Sequence, residues 1–243
     1  MDQPSGIPHG TTVLAVTYPD GVVMAGDRRA TAGNLIAQRD LEKVHEADEY
    51  AAVAFAGAVG PALRLVRAFQ LELEHFEKIE GVPMSLPAKA NQLDAIIRSN
   101  LELAMQGMAV APLLAGYDLD AGRGRIFRVE VTGGVFEEHD YAGVGSGSPF
   151  AVSALKKLHR DGLTEAEAAR ICVEALYDAA DDDTATGGPD LTRAIFPILA
   201  TVTAHGFRRY SDAEAEDVAR VVVEGRLTDP GGTSAVRDAG SPS

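Results

Sequence analysis

The first regular segment of the chain is predicted to be a β-hairpin. Residues 12–17 (TVLAVT) and 22–25 (VVMA) are apolar and rich in β-branched side chains, and the tetrapeptide YPDG separates them. Proline and glycine stand there at positions that tight turns favour, so the two segments are predicted to pair as antiparallel strands. Residues 51–56 form a third apolar run, which ends at Gly57 and predicts a further strand.

Helices are predicted where apolar residues recur at intervals of three and four. In residues 61–80 this spacing produces one apolar face, and Gly81 follows as a stop signal. Two later helices begin with the capping-box pattern, formed by Thr164 with Glu167 and by Ser211 with Glu214. The predicted helices span 61–80, 87–106, 150–161, 164–180 and 211–224, and the later predicted strands span 113–117, 125–131, 135–141 and 195–203.

Strands and helices alternate in blocks along the chain rather than one by one. This order favours antiparallel sheets covered by helix pairs over a doubly wound parallel sheet. We therefore predict a single α+β domain over residues 11–225, a four-layer αββα sandwich with two antiparallel sheets between helix pairs. Residues 1–10 lack periodicity and are predicted to be a loose leader, and residues 226–243, rich in Gly, Ser, Asp and Pro, to be a disordered tail.

Composition narrows the classes of function. Apolar residues make up 46% of the chain and the formal net charge is -14, so the chain is predicted to be globular and nucleic-acid binding is disfavoured. Cys172 is the only cysteine, which excludes an intrachain disulfide and favours a reducing, cytoplasmic location. No apolar run approaches the length of a membrane span, and residues 1–10 lack the pattern of a signal peptide.

The familiar sequence motifs of zinc proteases and nucleotide-binding proteins are incomplete or absent in this sequence. His45-Glu46 is not followed by the second histidine of a zinc-protease helix, and no P-loop pattern occurs. Gly145-Ser146-Gly147 lies between a predicted strand and a predicted helix, but Phe150 stands where a dinucleotide loop has its third glycine. The sequence therefore disfavours a zinc-protease site and a dinucleotide site.

The junction between Gly10 and Thr11 is more informative, because a polar segment meets a strand there without a linker. A cut before Thr11 would leave one residue with a hydroxyl nucleophile and an α-amine that titrates near neutral pH. The alternative is that Thr11 and Thr12 simply favour a strand. A tight hairpin also brings Asp27, at the end of its second strand, close to Thr11, whereas no local argument places Lys43.

Residues 181–183 are three aspartates at the predicted end of a helix, where negative charge opposes the helix dipole. One interpretation is a solvated helix end that attracts a cation. The other is that the polar, glycine-containing loop 184–188 directs an aspartate and a hydroxyl into a site. The residue pattern alone leaves both open.

With these residues considered together, the chain resembles the β subunits of 20S proteasomes of the actinobacterial type. The resemblance covers residues 9–225. It depends on HGTTVLAVTYPDGVVMAGDRRAT and LELEHFEKIEGVP in the first half, and on GVGSGSPFA and EALYDAADDDTATGGPDL in the second.

This resemblance implies the fold of the N-terminal-nucleophile (Ntn) hydrolases, which is the αββα sandwich, and a threonine-type endopeptidase that requires no metal and no organic cofactor. It implies that Thr11 is the catalytic nucleophile, exposed when the chain cuts itself between Gly10 and Thr11. Asp27 and Lys43 match the acidic and basic partners of that threonine. The backbone N–H of Gly57 matches the group that binds the oxyanion.

The resemblance also implies a supporting group around the threonine amine, formed by Ser146, Asp183 and Thr186. Thr186 stands where many relatives carry serine, and it keeps the hydroxyl. Thr31 and Val59 match positions that bind the substrate peptide as an added strand. Ala30 and Phe55 match the wall of the specificity pocket, which predicts cleavage after apolar or aromatic residues.

The partners implied are proteasome α subunits, further β subunits in heptameric rings within a four-ring stack, an ATPase ring and unfolded protein substrates, with no nucleic acid or membrane. Three alternatives are weighed against this interpretation. They are an HslV-type peptidase of about twelve identical chains, a non-catalytic structural subunit of the barrel, and an unrelated domain that binds a nucleotide at its glycine-rich loop.

Overall fold

Two five-stranded antiparallel sheets form the centre of this computed structural model, which describes residues 10–230. The strands are β1 (Thr12–Tyr18), β2 (Gly21–Gly26), β3 (Ala30–Ala32), β4 (Leu35–Gln38), β5 (Val44–Asp48), β6 (Ala51–Gly57), β7 (Val110–Asp118), β8 (Arg123–Val129), β9 (Val135–Glu138), β10 (Tyr141–Gly145), β11 (Ile198–Thr203) and β12 (Gly206–Arg209). The helices are α1 (Val59–Glu80), α2 (Leu86–Ser99), α3 (Leu101–Met105), α4 (Ser148–Leu158), α5 (Glu165–Asp182) and α6 (Asp212–Thr228).

The first sheet has the strand order β10-β1-β2-β11-β12 and the second has the order β5-β6-β7-β8-β9. Strands β3 and β4 form a small separate hairpin. In the first sheet Val13 pairs with Gly26 on one side, and Thr12 pairs with Gly145 on the other. The start of β1 therefore lies between the ends of β2 and β10, and this register determines where the site forms.

Alternating side chains of β1 separate two layers of the core. Val13 and Ala15 pack between the two sheets, whereas Leu14 and Val16 pack against α4, α5 and α6. Helices α1 and α2 cover the outer face of the second sheet, where Phe69 is fully buried. Complete burial of such a side chain contributes about 1.5–3 kcal/mol. The predicted four-layer αββα sandwich is thereby confirmed.

Both predicted capping boxes are present, at the starts of α5 and α6. The Thr164 and Ser211 side chains each accept a hydrogen bond from the backbone three residues later, and the glutamate there accepts one in return. Gly81 ends α1 in the left-handed conformation with φ +72°. These three helix boundaries therefore lie where the sequence patterns predicted them.

Two predicted elements are wrong in extent. The run 135–141 is not one strand, because β9 ends at Glu138 in the second sheet and β10 begins at Tyr141 in the first. The helix predicted over 87–106 is interrupted at Asn100, whose side-chain amide donates to the Ile96 carbonyl at 2.9 Å and competes with the helical bonding pattern. Strands β3, β4, β5 and β12 were not predicted.

The predicted tail begins too early, because α6 continues to Thr228. The reason is Arg226, which is 8% exposed and forms ion pairs with Glu174 at 3.3 Å and Asp178 at 2.6 Å on α5. Residues 231–243 of the predicted tail and residues 1–9 of the predicted leader lie outside the described residues. Within residues 10–230, no helix combines the length and hydrophobicity needed to cross a bilayer.

Candidate active site

The Gly10–Thr11 bond lies where three chain segments meet. The backbone N–H of Ser146 donates to the Thr11 carbonyl at 3.0 Å, which ties Thr11 to the loop after β10. Gly10 has φ +110°, and a Cβ there would lie 2.5 Å from Ala185 Cβ and 2.7 Å from Thr31 Oγ1. Because no other residue fits this conformation and this space, position 10 requires glycine.

Asp27 ends the hairpin and is fully buried. Its Oδ1 accepts from the Thr12 N–H at 2.7 Å, and its Oδ2 accepts from the N–H groups of Arg29 at 2.9 Å and Gly187 at 2.8 Å. Oδ1 also lies 2.6 Å from Lys43 Nζ. A buried carboxylate is tolerable only with such partners, so Asp27 is oriented from several directions at once.

Lys43 precedes β5 and is 2% exposed. Its Nζ donates to Asp27 Oδ1 at 2.6 Å and to the Arg29 carbonyl at 2.5 Å, and lies 3.5 Å from the Gly10 carbonyl oxygen. Burial lowers the pKa of the Lys43 ammonium below its usual value, although the Asp27 carboxylate opposes the shift. These contacts hold the Lys43 amino group beside the peptide bond between residues 10 and 11.

The Thr11 hydroxyl lies against the same carbonyl group. Thr11 Oγ1 is 2.5 Å from the Gly10 oxygen, and Thr11 is 3% exposed. One carbonyl thus has an alcohol and an ammonium group beside it, both on buried side chains. This arrangement can polarise the Gly10 carbonyl and bring a nucleophile to it.

A second polar cluster, formed by Ser146, Asp183 and Thr186, lies beside the first. Ser146 Oγ donates to Asp183 Oδ2 at 2.6 Å, and Thr186 Oγ1 donates to the same oxygen at 2.7 Å. Burial alone would raise the pKa of Asp183, but these hydrogen bonds and one from the Ala185 N–H outweigh it and lower the pKa below its usual value. Asp183 is thus an ionised acceptor at the end of α5.

Thr12 joins the two clusters, and sequence reasoning missed its role. Its Oγ1 lies 2.6 Å from Thr186 Oγ1 and accepts from the Gly147 N–H at 3.0 Å. Its backbone N–H binds Asp27. The two consecutive threonines were a visible signal, but β-branched residues at a strand start have a simpler explanation, so the pattern pointed only to Thr11.

Gly57 ends β6 in the left-handed conformation with φ +109°. A Cβ there would lie 2.2 Å from the Ala109 carbonyl oxygen, so glycine is required at this close approach of two strands. Gly57, Thr11 and Lys43 line one pocket, whose further lining residues are Leu41, Glu42, His45, Phe55, Val59, Ala62, Leu63 and Val66. The pocket thus opens directly beside the Thr11 hydroxyl.

The four residues expected to bind substrate have different positions. Phe55 and Val59 line the pocket, and Thr31 lies against Gly10. Ala30 is buried at the start of β3 and is not among the lining residues. Sequence reasoning missed His45 in this pocket. Burial lowers the pKa of His45, against the opposing effect of the Glu42 carboxylate, so a neutral imidazole is favoured there.

Comparison with known proteins identifies the family to which the chain belongs. The proteasome subunit family model matches residues 7–191. The chain belongs to the proteasome subunit family. It is 61% identical over 226 residues to "Proteasome subunit beta 2" of Thermomonospora curvata, which covers 93% of this chain and 81% of the relative. It is 60% identical over 235 residues to "Proteasome subunit beta 1" of Streptomyces avermitilis, which covers 96% of this chain and 83% of the relative.

A third relative, "Proteasome subunit beta" of Acidothermus cellulolyticus, is 58% identical over 238 residues, which are 96% of this chain and 82% of the relative. These similarities extend across nearly the whole chain and confirm the resemblance inferred from the sequence motifs, to proteasome β subunits of the actinobacterial type. Within the proteasome family, the polar clusters at Thr11 become the natural candidates for a peptidase site.

Proposed function

We propose that this chain is a catalytic β subunit of a 20S proteasome, a threonine endopeptidase that matures by cutting its own chain between Gly10 and Thr11. One observation carries the proposal. The Thr11 hydroxyl and the Lys43 ammonium lie 2.5 Å and 3.5 Å from the carbonyl oxygen of Gly10. A structural subunit has no need to bury a cation and an alcohol beside one peptide bond.

Maturation begins with attack by Thr11 Oγ1 on the Gly10 carbonyl carbon. A C–O bond forms, the C–N bond between residues 10 and 11 breaks, and the Thr11 nitrogen takes the hydroxyl proton. Lys43 stabilises the negative charge that develops on the carbonyl oxygen. Water then hydrolyses the resulting ester, which releases residues 1–10 and leaves Thr11 with a free hydroxyl and a free α-amine.

In the mature subunit, Thr11 supplies both nucleophile and base. The α-amine of an N-terminal residue has a pKa of about 7.7–8.0, and the nearby charge of Lys43 favours its neutral form. The amine removes the hydroxyl proton, directly or through a water, and the oxygen attacks a peptide carbonyl. The N–H of Gly57 binds the oxyanion, an acyl ester forms with loss of the amine product, and water releases the second product.

The remaining polar residues position these groups. Asp27 holds Lys43 charged and oriented, since its carboxylate lies 2.6 Å from Nζ. Ser146 is tied to the Thr11 carbonyl through its N–H and to Asp183 through its hydroxyl, which supports a role of this pair around the freed amine. We propose that Thr31 and Val59 bind the substrate backbone. We also propose that the pocket lined by Phe55 receives an apolar or aromatic side chain of the substrate.

The assembly follows from the family. We propose that the chain forms heptameric β rings stacked between rings of α subunits, and that an ATPase ring delivers unfolded proteins to the site. The family's seven-fold rings contrast with an HslV-type particle of about twelve identical chains. The high identity to proteins named proteasome subunit β over more than nine-tenths of this chain supports the proteasome form.

The test is intact-mass analysis and peptidase assay of the full chain after co-assembly with its α partner. Wild type is expected to lose residues 1–10 and cleave an apolar peptide. Thr11→Ala is expected to assemble, retain residues 1–10 and show no activity. Thr17→Ala makes the same change within β1, where the hydroxyl donates to the Asp140 carbonyl at 3.1 Å and to the His139 carbonyl at 3.4 Å, and it is expected to behave as wild type.

Two outcomes would overturn the proposal. Normal processing and turnover by Thr11→Ala would remove Thr11 as the nucleophile. An assembled wild-type chain that retains residue 1 and has no activity would instead favour a structural subunit of the barrel.

A further inference from the structure

We propose that a second pocket, distinct from the one beside Thr11, binds one oxyanion of the phosphate or carboxylate class. This arginine pocket is defined by four side chains, Arg28, Arg29, Arg39 and Arg193, and has a volume of about 140 Å³. The remaining lining residues are one aspartate, two glycines and four apolar residues: Asp190, Gly187, Gly188, Ile36, Ile195, Phe196 and Pro197. The space is sufficient for several waters or a phosphate-sized group.

The charge of this pocket is opposite to that of the protein. The chain has a net charge of -14, yet four arginines converge here against one carboxylate. That carboxylate, on Asp190, is already paired with Arg193 at 2.8 Å. Four like charges repel each other, so an anion that occupies the cavity would stabilise their arrangement.

Within residues 10–230, two of the guanidinium groups donate hydrogen bonds only to neutral carbonyl groups. Arg28 Nη2 donates to the Asp40 carbonyl at 3.0 Å, and Arg29 Nη1 donates to the Thr184 carbonyl at 3.0 Å. The Nε of Arg28 is buried and has no hydrogen-bond partner within residues 10–230. In that range, no ion pair joins a carboxylate to Arg28, Arg29 or Arg39; the pKa of the nearby Glu42 carboxylate is lowered mainly by its hydrogen bond from Arg209, with which it pairs at 2.7 Å, and less by the charge of Arg28. Arginine donors that lack an anion suit an oxyanion, to which they bind in a fork.

The loop that carries Arg193 has a defined conformation, held by several hydrogen bonds. Asp190 Oδ1 accepts from the N–H groups of Thr192 and Arg193 at 3.0 Å each, and Asp190 bridges to Ile195 through both backbone groups. Ala194, which lies between the lining residues Arg193 and Ile195, has φ +53°. No other non-glycine residue from 10 to 230 has a positive φ. Such a conformation costs about 1–2 kcal/mol and persists only where the surroundings impose it.

The arginine pocket shares two residues with the support of the catalytic carboxylate. The N–H groups of Arg29 and Gly187 both donate to Asp27 Oδ2, and Asp27 Oδ1 pairs with Lys43. An anion in the pocket would therefore favour the charged form of Lys43 and restrain the Asp27 carboxylate. This consequence for catalysis rests on the proposed function, whereas binding of the anion does not.

The test is a phosphorus NMR titration of inorganic phosphate with the full chain, at constant ionic strength maintained with chloride. The test variant is the double substitution Arg39→Gln and Arg193→Gln, which removes two exposed charges outside the catalytic clusters. The control is Arg160→Gln and Arg220→Gln, two exposed arginines that pair with Glu167 and Glu216 elsewhere. Circular dichroism establishes that each variant is folded.

Wild type and the control variant are expected to bind phosphate saturably at one site. The test variant is expected to bind at least about tenfold more weakly, because each lost charge-assisted hydrogen bond weakens binding by roughly that factor. Absence of saturable binding by wild type would overturn the proposal, and so would equal binding by the test variant. Neither result depends on peptidase activity, so failure here is distinguishable from failure of the proposed function.

Sedimentation of the same samples distinguishes the sources of the anion. If phosphate dissociates a self-associated form of wild type and the test variant does not associate, the natural occupant is a carboxylate of a second copy of this chain. If phosphate binds without any change in sedimentation, the occupant is a free anion. Both results support an oxyanion site.

Discussion

Replacing Lys43 with methionine leaves a buried carboxylate without its cation. Asp27 is fully buried and Lys43 is 2% exposed, so water cannot replace the lost ammonium group. Breaking a buried ion pair by removing one partner costs about 3–5 kcal/mol. Asp27 keeps the N–H groups of Thr12, Arg29 and Gly187 at 2.7 Å, 2.9 Å and 2.8 Å, so we expect the lower end, about 3 kcal/mol.

The chain offers a matched control for this substitution. Lys89 is also 2% exposed and pairs at 2.6 Å with Asp48, but it lies on the buried face of α2 and does not line the pocket beside Thr11. Asp48 is 15% exposed, so solvent stabilises the carboxylate that Lys89→Met leaves behind, and we expect a loss of about 1–3 kcal/mol.

Urea unfolding and intact-mass analysis together separate stability from chemistry. A loss of about 3 kcal/mol corresponds to a decrease in Tm of about 6–12 °C for a domain of this size. Both lysine variants are expected to be destabilised, but only Lys43→Met is expected to retain residues 1–10. Cleavage of the leader by Lys43→Met as fast as by Lys89→Met would refute the role assigned to this cation. An unchanged unfolding free energy would refute the energetic argument.

Two further predictions follow from the same contacts. Gly57→Ala is expected to destabilise the fold by about 1–3 kcal/mol and to abolish peptide cleavage, because its Cβ would lie 2.2 Å from the Ala109 oxygen; a fully active, stable variant would contradict this. The pKa of Asp183 is lowered on folding, so Asp183 stabilises the protein above its unfolded pKa of about 3.9, and this contribution is lost as the pH falls through the folded value. The difference in unfolding free energy between wild type and Asp183→Asn is therefore expected to be constant from about pH 5 to 7 and to shrink below about pH 4; a difference that grows on acidification would contradict the sign.

Local patterns predicted the parts of the fold that depend on neighbouring residues. The hairpin of β1 and β2 brought Asp27 beside the start of β1, and the register Val13 to Gly26 agrees. The same patterns failed where chain direction changes between sheets, as at residues 139–140, because an apolar strand has the same appearance in either sheet.

The same distinction between local and long-range features applies to the residues of the candidate active site. Thr11 and Asp27 were singled out from the residues themselves, since a strand start and a hairpin end are local features. Lys43 and Ser146 were assigned only through family resemblance, because no spacing rule connects them to Thr11.

The sequence by itself determined the two capped helices, the hairpin, the block order of strands and helices and the family of this protein. Only the tertiary structure decided which polar groups meet. Thr12 contacts Thr186 across 174 positions of the chain, and Ser146 contacts Asp183 across 37. The physical reason is that a hydrogen bond requires its donor and acceptor to be placed to within a few tenths of an ångström. The packing of two sheets and six helices within residues 10–230 sets these positions, and side-chain periodicity does not encode them.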